Sequence, residues 1–186
     1  QVFATGGIGG VHRGAETTLD ISADLDELSR TNVCVVCAGV KSILNIGLTL
    51  EYLETKGVPI IGYKTSEMPA FYSTKSGFNV DYRIDAADDI ADILKTKWDL
   101  SINGGVLVTN PIPVAFELES SIMNEAINLA IIEADNEHIT GKKITPYLLS
   151  KVNEITKGKS LDANIKLIKN NADLAAKIAV HFSKKD

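Results

Sequence analysis

Val33-Cys34-Val35-Val36-Cys37 is five apolar residues in a row, three of them β-branched, followed at once by Ala38-Gly39. A strand with one face in water alternates apolar and polar residues. This one has no polar side, so it must be covered on both faces. That requirement points to a parallel sheet with helices above and below it, and the rest of the chain agrees. Ser42–Thr55 sets Ile43, Ile46, Leu50 and Leu53 near helical spacing. Gly57-Val58-Pro59 closes that helix, and Ile60–Tyr63 is the next strand. Asn79–Ile84 alternates as a strand, and Asp85 caps a helix that runs to about Lys97. Gly105–Thr109 is a strand ending in the rigid turn Asn110-Pro111-Ile112-Pro113.

The final third reads as helical. Leu118–Glu133 carries Ile122, Ala126, Leu129 and Ile132 on one face. Thr145 caps a helix with Pro146 at its first position, ending near Gly158. Ser160 caps the last helix, with Ile165, Ile168, Leu174 and Ile178 as core candidates. The expected fold is α/β: a largely parallel central sheet flanked by helices, with an α-helical C-terminus. At 186 residues the chain suits a single domain over 1–186. It opens on Gln1-Val2-Phe3, directly in an apolar strand, and so reads as the C-terminal part of a longer chain that lacks its N-terminal region.

Charge and cysteine usage narrow the function classes. The 19 basic and 24 acidic residues leave a net charge of −5, which argues against tracking a nucleic-acid backbone. No apolar run reaches the length of a membrane span, and no signal peptide is visible, so the expectation is a cytoplasmic protein without a membrane partner. Cys34 and Cys37 have CxxC spacing, but positions i and i+3 of a strand face opposite sides. They read as two buried thiols in a reducing compartment.

The chemistry concentrates in Phe3–Asp24 and the loop after Cys37. Thr5-Gly6-Gly7-Ile8-Gly9-Gly10 follows a short strand. It is not the dinucleotide fingerprint, because from Gly7 the third glycine would fall on His12. It also lacks the Lys-Ser/Thr of a P-loop. Such a loop either brings backbone amides against a phosphate or makes a tight connection. His12 either contacts a ligand or packs the loop. Asp20, Ser22 and Asp24 would share one face if extended. They then suit a hard cation such as Mg²⁺ or Mn²⁺, or else they cap and solvate a helix start. Lys41 stands just past a buried strand, where ligands of open α/β sheets bind. It is either a nucleophilic amine or a solvated loop lysine. Asn164 can read a base edge or lie on the surface. His138 and His181 belong to no constellation.

The blocks TGGIGGVHRG, DISADL, VVCAGVKSIL, LEYLETKGVPIIGY, NPIP, TPYLL and SLDANIKLIKNNA resemble the pseudouridine-5′-phosphate glycosidase family, also called indigoidine-synthase-A-like. The resemblance runs over nearly the whole chain. It implies a lyase-type enzyme for reversible cleavage of pseudouridine 5′-phosphate to uracil and ribose 5-phosphate. In that family a lysine opens the ribose and forms an imine at C1′, so that the bond to uracil C5 can break. Manganese or another divalent cation assists, and the assembly is a homotrimer.

Carried onto this chain, the resemblance makes Lys41 the imine-forming residue and Asp20 the metal ligand. Thr5, Gly6, Gly7, Ser22, Ala23 and Asp24 contact the sugar phosphate, while His12 and Asn164 contact uracil. Asn45 departs from the family pattern, which has Asp there. The resemblance also places a catalytic glutamate and a phosphate-binding lysine N-terminal to this chain. It therefore implies an active complete protein and an inactive isolated chain. The alternatives are an imine-forming lyase on another sugar phosphate, or a phosphate- or nucleotide-binding module without catalysis.

Overall fold

Five short strands carry the architecture: β1 Val2–Ala4, β2 Cys34–Cys37, β3 Ile60–Tyr63, β4 Tyr82–Ile84 and β5 Val106–Thr109. In the computed structural model, which describes residues 1–139 and 141–184, they form one sheet in the order β1-β2-β5-β3-β4. All four pairings are parallel, with Val36 opposite Ala4 on one side and Val108 on the other. The strands without polar alternation, β2 and β5, are buried at every residue. That is the sheet-centre environment their composition demands.

Helices fill the connections. Ala15–Thr18 (α1) and Ala23–Arg30 (α2) follow β1, Ile46–Thr55 (α3) follows β2, and Ala87–Asp99 (α4) joins β4 to β5. Ser120–Asn136 (α5), Ile144–Ile155 (α6) and Lys159–Ser183 (α7) complete the chain. Two cores result. One gathers Leu25, Cys37, Leu53, Leu107, Ile127 and Leu148; the other gathers Cys34, Val36, Leu94, Val108 and Ile178. Helix α7 belongs to both, because Ala163 and Leu167 pack in the first core and Leu174, Ala175 and Ile178 in the second. Trp98 meets Phe182 edge-on at 5.6 Å and fastens α4 to α7.

Cys34 and Cys37 do fall on opposite faces, both as free thiols. Burial pushes each thiol up to about 12.

Several element starts differ from expectation, each for a local reason. Helix α3 begins at Ile46, not Ser42. The Asn45 N–H is held by Val11 O at 2.9 Å, and its Oδ1 accepts the Leu48 N–H at 3.0 Å, which makes Asn45 the cap. Asp85 does not cap α4. Its carboxylate faces Arg83 at 2.9 Å, and the helix starts one residue later from Ala86. The alternating stretch from Asn79 shrinks to β4, with Asn79 bridged singly to Glu67.

In α5 the apolar face is turned from the expected one. Ile122, Leu129 and Ile132 are exposed, while Met123, Ala126, Ile127, Ala130 and Ala134 are buried, because small side chains let the helix approach its neighbours closely. Helix α6 begins at Ile144 after a 3₁₀ turn, so Thr145 lies inside its first turn. Gly158, with φ +85°, precedes α7, and Ser160 is buried within it. Leu174 and Ile178 are core residues as expected, whereas Ile165 and Ile168 are exposed.

Candidate active site

The glycine loop does not leave the sheet when β1 ends. Thr5 N–H donates to Val36 O, Ala38 N–H to Gly6 O, Ile8 N–H to Gly39 O and Lys41 N–H to Ile8 O, all within 3.1 Å. The loop therefore runs beside Ala38–Lys41 as an extension of the β1–β2 pairing, and Lys41 is fixed to the loop through Ile8. Gly39 makes this possible. Its φ is +91°, and a Cβ there would stand 2.0 Å from Pro69 O.

Around this ladder the chain brings in groups from far away in sequence. Asn164 Oδ1, on α7, lies over Gly6. The ring of Phe71 lies against Gly7, and the Phe71 N–H donates to Ala38 O at 3.0 Å. Asp24 Oδ2 accepts the Gly9 N–H at 2.7 Å. Gly9 is packed so tightly that a Cβ would meet Ser22 Oγ at 2.1 Å. His12 Nδ1 stands 3.8 Å from Asp20 Oδ2, and the His12 N–H donates to Asp20 O at 3.0 Å.

The expected extended alignment of Asp20, Ser22 and Asp24 is not what forms. Ser22 is the N-cap of α2, its Oγ accepting the Asp24 N–H at 3.3 Å, and Asp24 is already helical. With Asp24 inside the helix, the three cannot share a face in the strand manner. Asp24 instead braces Gly9, and Asp20 turns to His12. Ala23 is exposed as the first residue of α2, at the positive end of the helix.

The backbone amides of the loop divide into two sets. Ile8, Gly9 and Val11 are committed to Gly39 O, Asp24 Oδ2 and Thr49 Oγ1. The Gly6, Gly7 and Gly10 amides, in buried residues, have no acceptor among the described residues. Buried amides without partners are rare, and in a glycine loop they are the groups that take an anion.

Asp20 is a single carboxylate, 42 % exposed, next to a histidine. No group of three or more His, Cys, Asp or Glu that could hold a metal occurs among the described residues. The donor set suits a hard cation that keeps most of its waters and takes one protein carboxylate.

A cleft of about 710 Å³ opens beside the ladder. Arg13, Ser42, Asn45, Ser73, Ser120 and Asn124 are among its lining residues, with none of Lys41, Gly6, Gly7 or Asp20. Ser42, directly after Lys41 in sequence, is the point at which the candidate residues adjoin the cleft. Its Oγ is buried and finds no partner among the described residues.

Sequence reasoning missed Phe71, Ser42, Glu117 and the Asn110–Asn171 pair. A signal for Phe71 existed: the connection between β3 and β4 has no helix of its own, and such long loops usually serve the site. Phe71 is buried with φ +66°, a conformation that a bulky side chain rarely adopts and that gathers at functional sites. The Asn110–Asn171 pair gave no signal, because both look like surface polar residues until the strand ends and α7 meet.

Comparison with known proteins decides the family. The sequence model of the indigoidine synthase A like protein family matches residues 1–181. The chain belongs to that family. It is 63% identical over 183 residues to the pseudouridine-5′-phosphate glycosidase of Geobacillus kaustophilus, covering 98% of this chain and 61% of the relative. It is 59% identical to the enzyme of that name from Clostridium botulinum, over 99% of this chain and 60% of the relative. The chain thus spans about three-fifths of the length of the curated relatives it matches.

Among solved structures, the prealnumycin C-glycosynthase AlnA in complex with ribulose 5-phosphate aligns with a TM-score of 0.92 at 38% identity, over 100% of this chain and 61% of that one. An indigoidine synthase A-like protein from Thermotoga maritima aligns with a TM-score of 0.86 at 37% identity, over 95% of this chain and 57% of that one. Asn45 caps α3 through its side chain, a role that Asp would fill equally well.

Proposed function

We propose that the protein carrying this chain reversibly cleaves the C–C glycosidic bond of pseudouridine 5′-phosphate, giving uracil and ribose 5-phosphate through an imine on Lys41. The carrying observation is the ladder: Lys41 is hydrogen-bonded into the same strip of backbone as the Gly6 and Gly7 amides. A phosphate taken by those amides, with Ala23 at the start of α2, holds the sugar beside the lysine.

The chemistry explains why an amine is needed. Protonating a leaving oxygen cannot break a carbon–carbon bond. The Lys41 amine adds at C1′ as the ring oxygen leaves with a proton. With uracil C5 protonated, the C1′–C5 electron pair returns to the uracil ring and the nitrogen lone pair forms the C1′=N iminium. Water then releases ribose 5-phosphate and the free amine. Asn164, over Gly6, and His12, beside Asp20, are the groups proposed to orient uracil.

A divalent cation, manganese by family resemblance, would be held by Asp20 with water completing its shell, and when bound it supplies positive charge and oriented water. A trimeric assembly is proposed on the same resemblance. A second reading is favoured by one observation, the likeness to a C-glycosynthase crystallised with ribulose 5-phosphate. In it the same lysine forms an imine with a different sugar phosphate.

Borohydride trapping of the complete protein with ribose 5-phosphate, followed by peptide mass mapping, tests the proposal. The expected adduct is on Lys41, and Lys41→Ala should abolish both adduct and turnover. An adduct on Lys64 would sink the assignment. So would one on Lys56, whose Nζ is held by Asp26 at 2.7 Å. Trapping with ribulose 5-phosphate in preference to ribose 5-phosphate would favour the second reading.

A further inference from the structure

Asn171 is fully buried (0 % exposed) at the point where α7 passes from one core to the other. A buried asparagine on a helix face that otherwise packs Leu167, Leu174 and Ala175 is costly unless every polar atom is matched. Here they are matched, and to the ends of the strands. Its Nδ2 donates to Thr5 O at 2.8 Å and Gly6 O at 3.4 Å. Its Oδ1 accepts from Asn110 Nδ2 at 3.2 Å. Asn110 Nδ2 also donates to Asn170 O at 3.2 Å, and the Asn110 N–H donates to Cys37 O at 2.8 Å. Asn170 Nδ2 donates to Pro111 O at 3.1 Å. One polar network thus ties the carboxyl ends of β1, β2 and β5 to α7.

The consequence lies in the peptide planes. In a trans peptide the C=O of one residue and the N–H of the next point in opposite directions. With Thr5 O held by Asn171, the Gly6 N–H is turned away from that side chain. With Gly6 O held by Ala38 N–H at 2.8 Å and by Asn171, the Gly7 N–H is turned away from both. Those are two of the three loop amides that have no acceptor among the described residues, Gly10 being the third.

We propose that Asn171, locked by Asn110, is a positioning residue that aims the Gly6 and Gly7 amides at the phosphate of the substrate. This rests on the phosphate role given to the glycine loop above. An apolar side chain of the same size would hold α7 in place but would leave Thr5 O unclaimed and Gly6 O with the Ala38 N–H alone, and the amides unaimed.

The test uses the complete protein with Asn171→Leu and Asn171→Asp, the second keeping the shape and losing the donor. Inorganic phosphate binding is read by calorimetry, and uracil and ribose 5-phosphate are compared as competitive inhibitors. Both variants should weaken phosphate and ribose 5-phosphate by about tenfold or more, from the loss of a buried donor to two carbonyls. KM for pseudouridine 5′-phosphate should rise with them, while uracil inhibition stays within about twofold of the wild type. Phosphate affinity equal to wild type would overturn the proposal. Equal loss of phosphate and uracil would overturn it too, by showing a general structural role.

If neither variant folds, Asn110→Ala leaves the Asn171 donor in place but unlocked. It should weaken phosphate by about threefold with uracil unchanged, and no change in phosphate would again overturn the proposal. Wild-type protein that binds no phosphate overturns the glycine-loop role itself, and this inference with it.

Discussion

Gly9 has space for a hydrogen and nothing more. A methyl there would stand 2.1 Å from Ser22 Oγ and 2.9 Å from Asp24 Oδ2, the oxygen that accepts its own N–H. Neither neighbour is free to retreat, because Ser22 caps α2 and Asp24 lies in its first turn. Gly9→Ala should cost about 1–3 kcal/mol of stability, as overpacking does, and urea denaturation checks it. A variant as stable as the parent would show that the loop yields. Asp20 is the opposite kind of residue, with an exposed carboxylate whose backbone carries the local structure through His12. Asp20→Ala should leave the melting temperature within a few degrees and abolish manganese-dependent activation in the complete protein. A metal titration identical to wild type would move Asp20 out of the metal role.

The segment from Lys64 to Asp81 is held as an element without being a helix or strand. Glu67 Oε1 accepts the Ser76 N–H at 2.8 Å and the Gly77 N–H, and closes one end of it. Glu117 holds its middle, its Oε1 accepting from Ser73 Oγ at 3.0 Å, Thr74 N–H at 2.7 Å and Thr74 Oγ1 at 2.9 Å. Between these clamps lies Phe71, pressed on Gly7. Burial pushes the Glu117 carboxyl up, but the hydrogen bonds from Thr74 and Ser73, with Lys75 nearby, outweigh it and leave the group below its ordinary value.

A carboxyl depressed in the folded state stabilises fully above its unfolded value, about 4.5, and that contribution is lost as pH falls through the folded value. Glu117→Gln should therefore be less stable than wild type at neutral pH, with the gap closing below about pH 4.5. Urea midpoints followed down the acid range measure this. A gap that is constant with pH would remove the charge from the argument.

At the scale of the whole molecule, two cores share one sheet and one long helix. Cys34 and Cys37 report on them separately, one thiol in each core, both 0 % exposed and both pushed up to about 12. A thiol reagent needs the thiolate and access to it, and neither exists in the folded state. Because α7 packs in both cores, both thiols should be labelled together, at the rate at which the molecule opens globally. Quenched labelling with mass spectrometry checks this. Faster modification of Cys34 would show that the α4–α7 side opens by itself. No helix among the described residues is long and apolar enough to cross a membrane.

The sequence alone determined the sheet. Apolar runs such as Val33–Cys37 and Val106–Thr109 have only one environment that suits them, and the helical spacings between them leave little choice of class. It also determined the family, because the motifs around the glycine loop and Lys41 are local strings.

Other features needed the tertiary structure. Asp20, Ser22 and Asp24 look equivalent as a string, yet the helix begins between them and sends each to a different partner. The buried face of α5 was misread because alanine carries little hydrophobic signal, while close packing selects it. Residues 42–45 read as a first helical turn until Val11 claims the Asn45 N–H. Asn171 and Asn110 stand 61 residues apart, and their bond exists only because α7 crosses the strand ends. Local patterns record which residues seek burial. Which buried polar group meets which carbonyl is set by how the elements cross, and that is decided only when they pack.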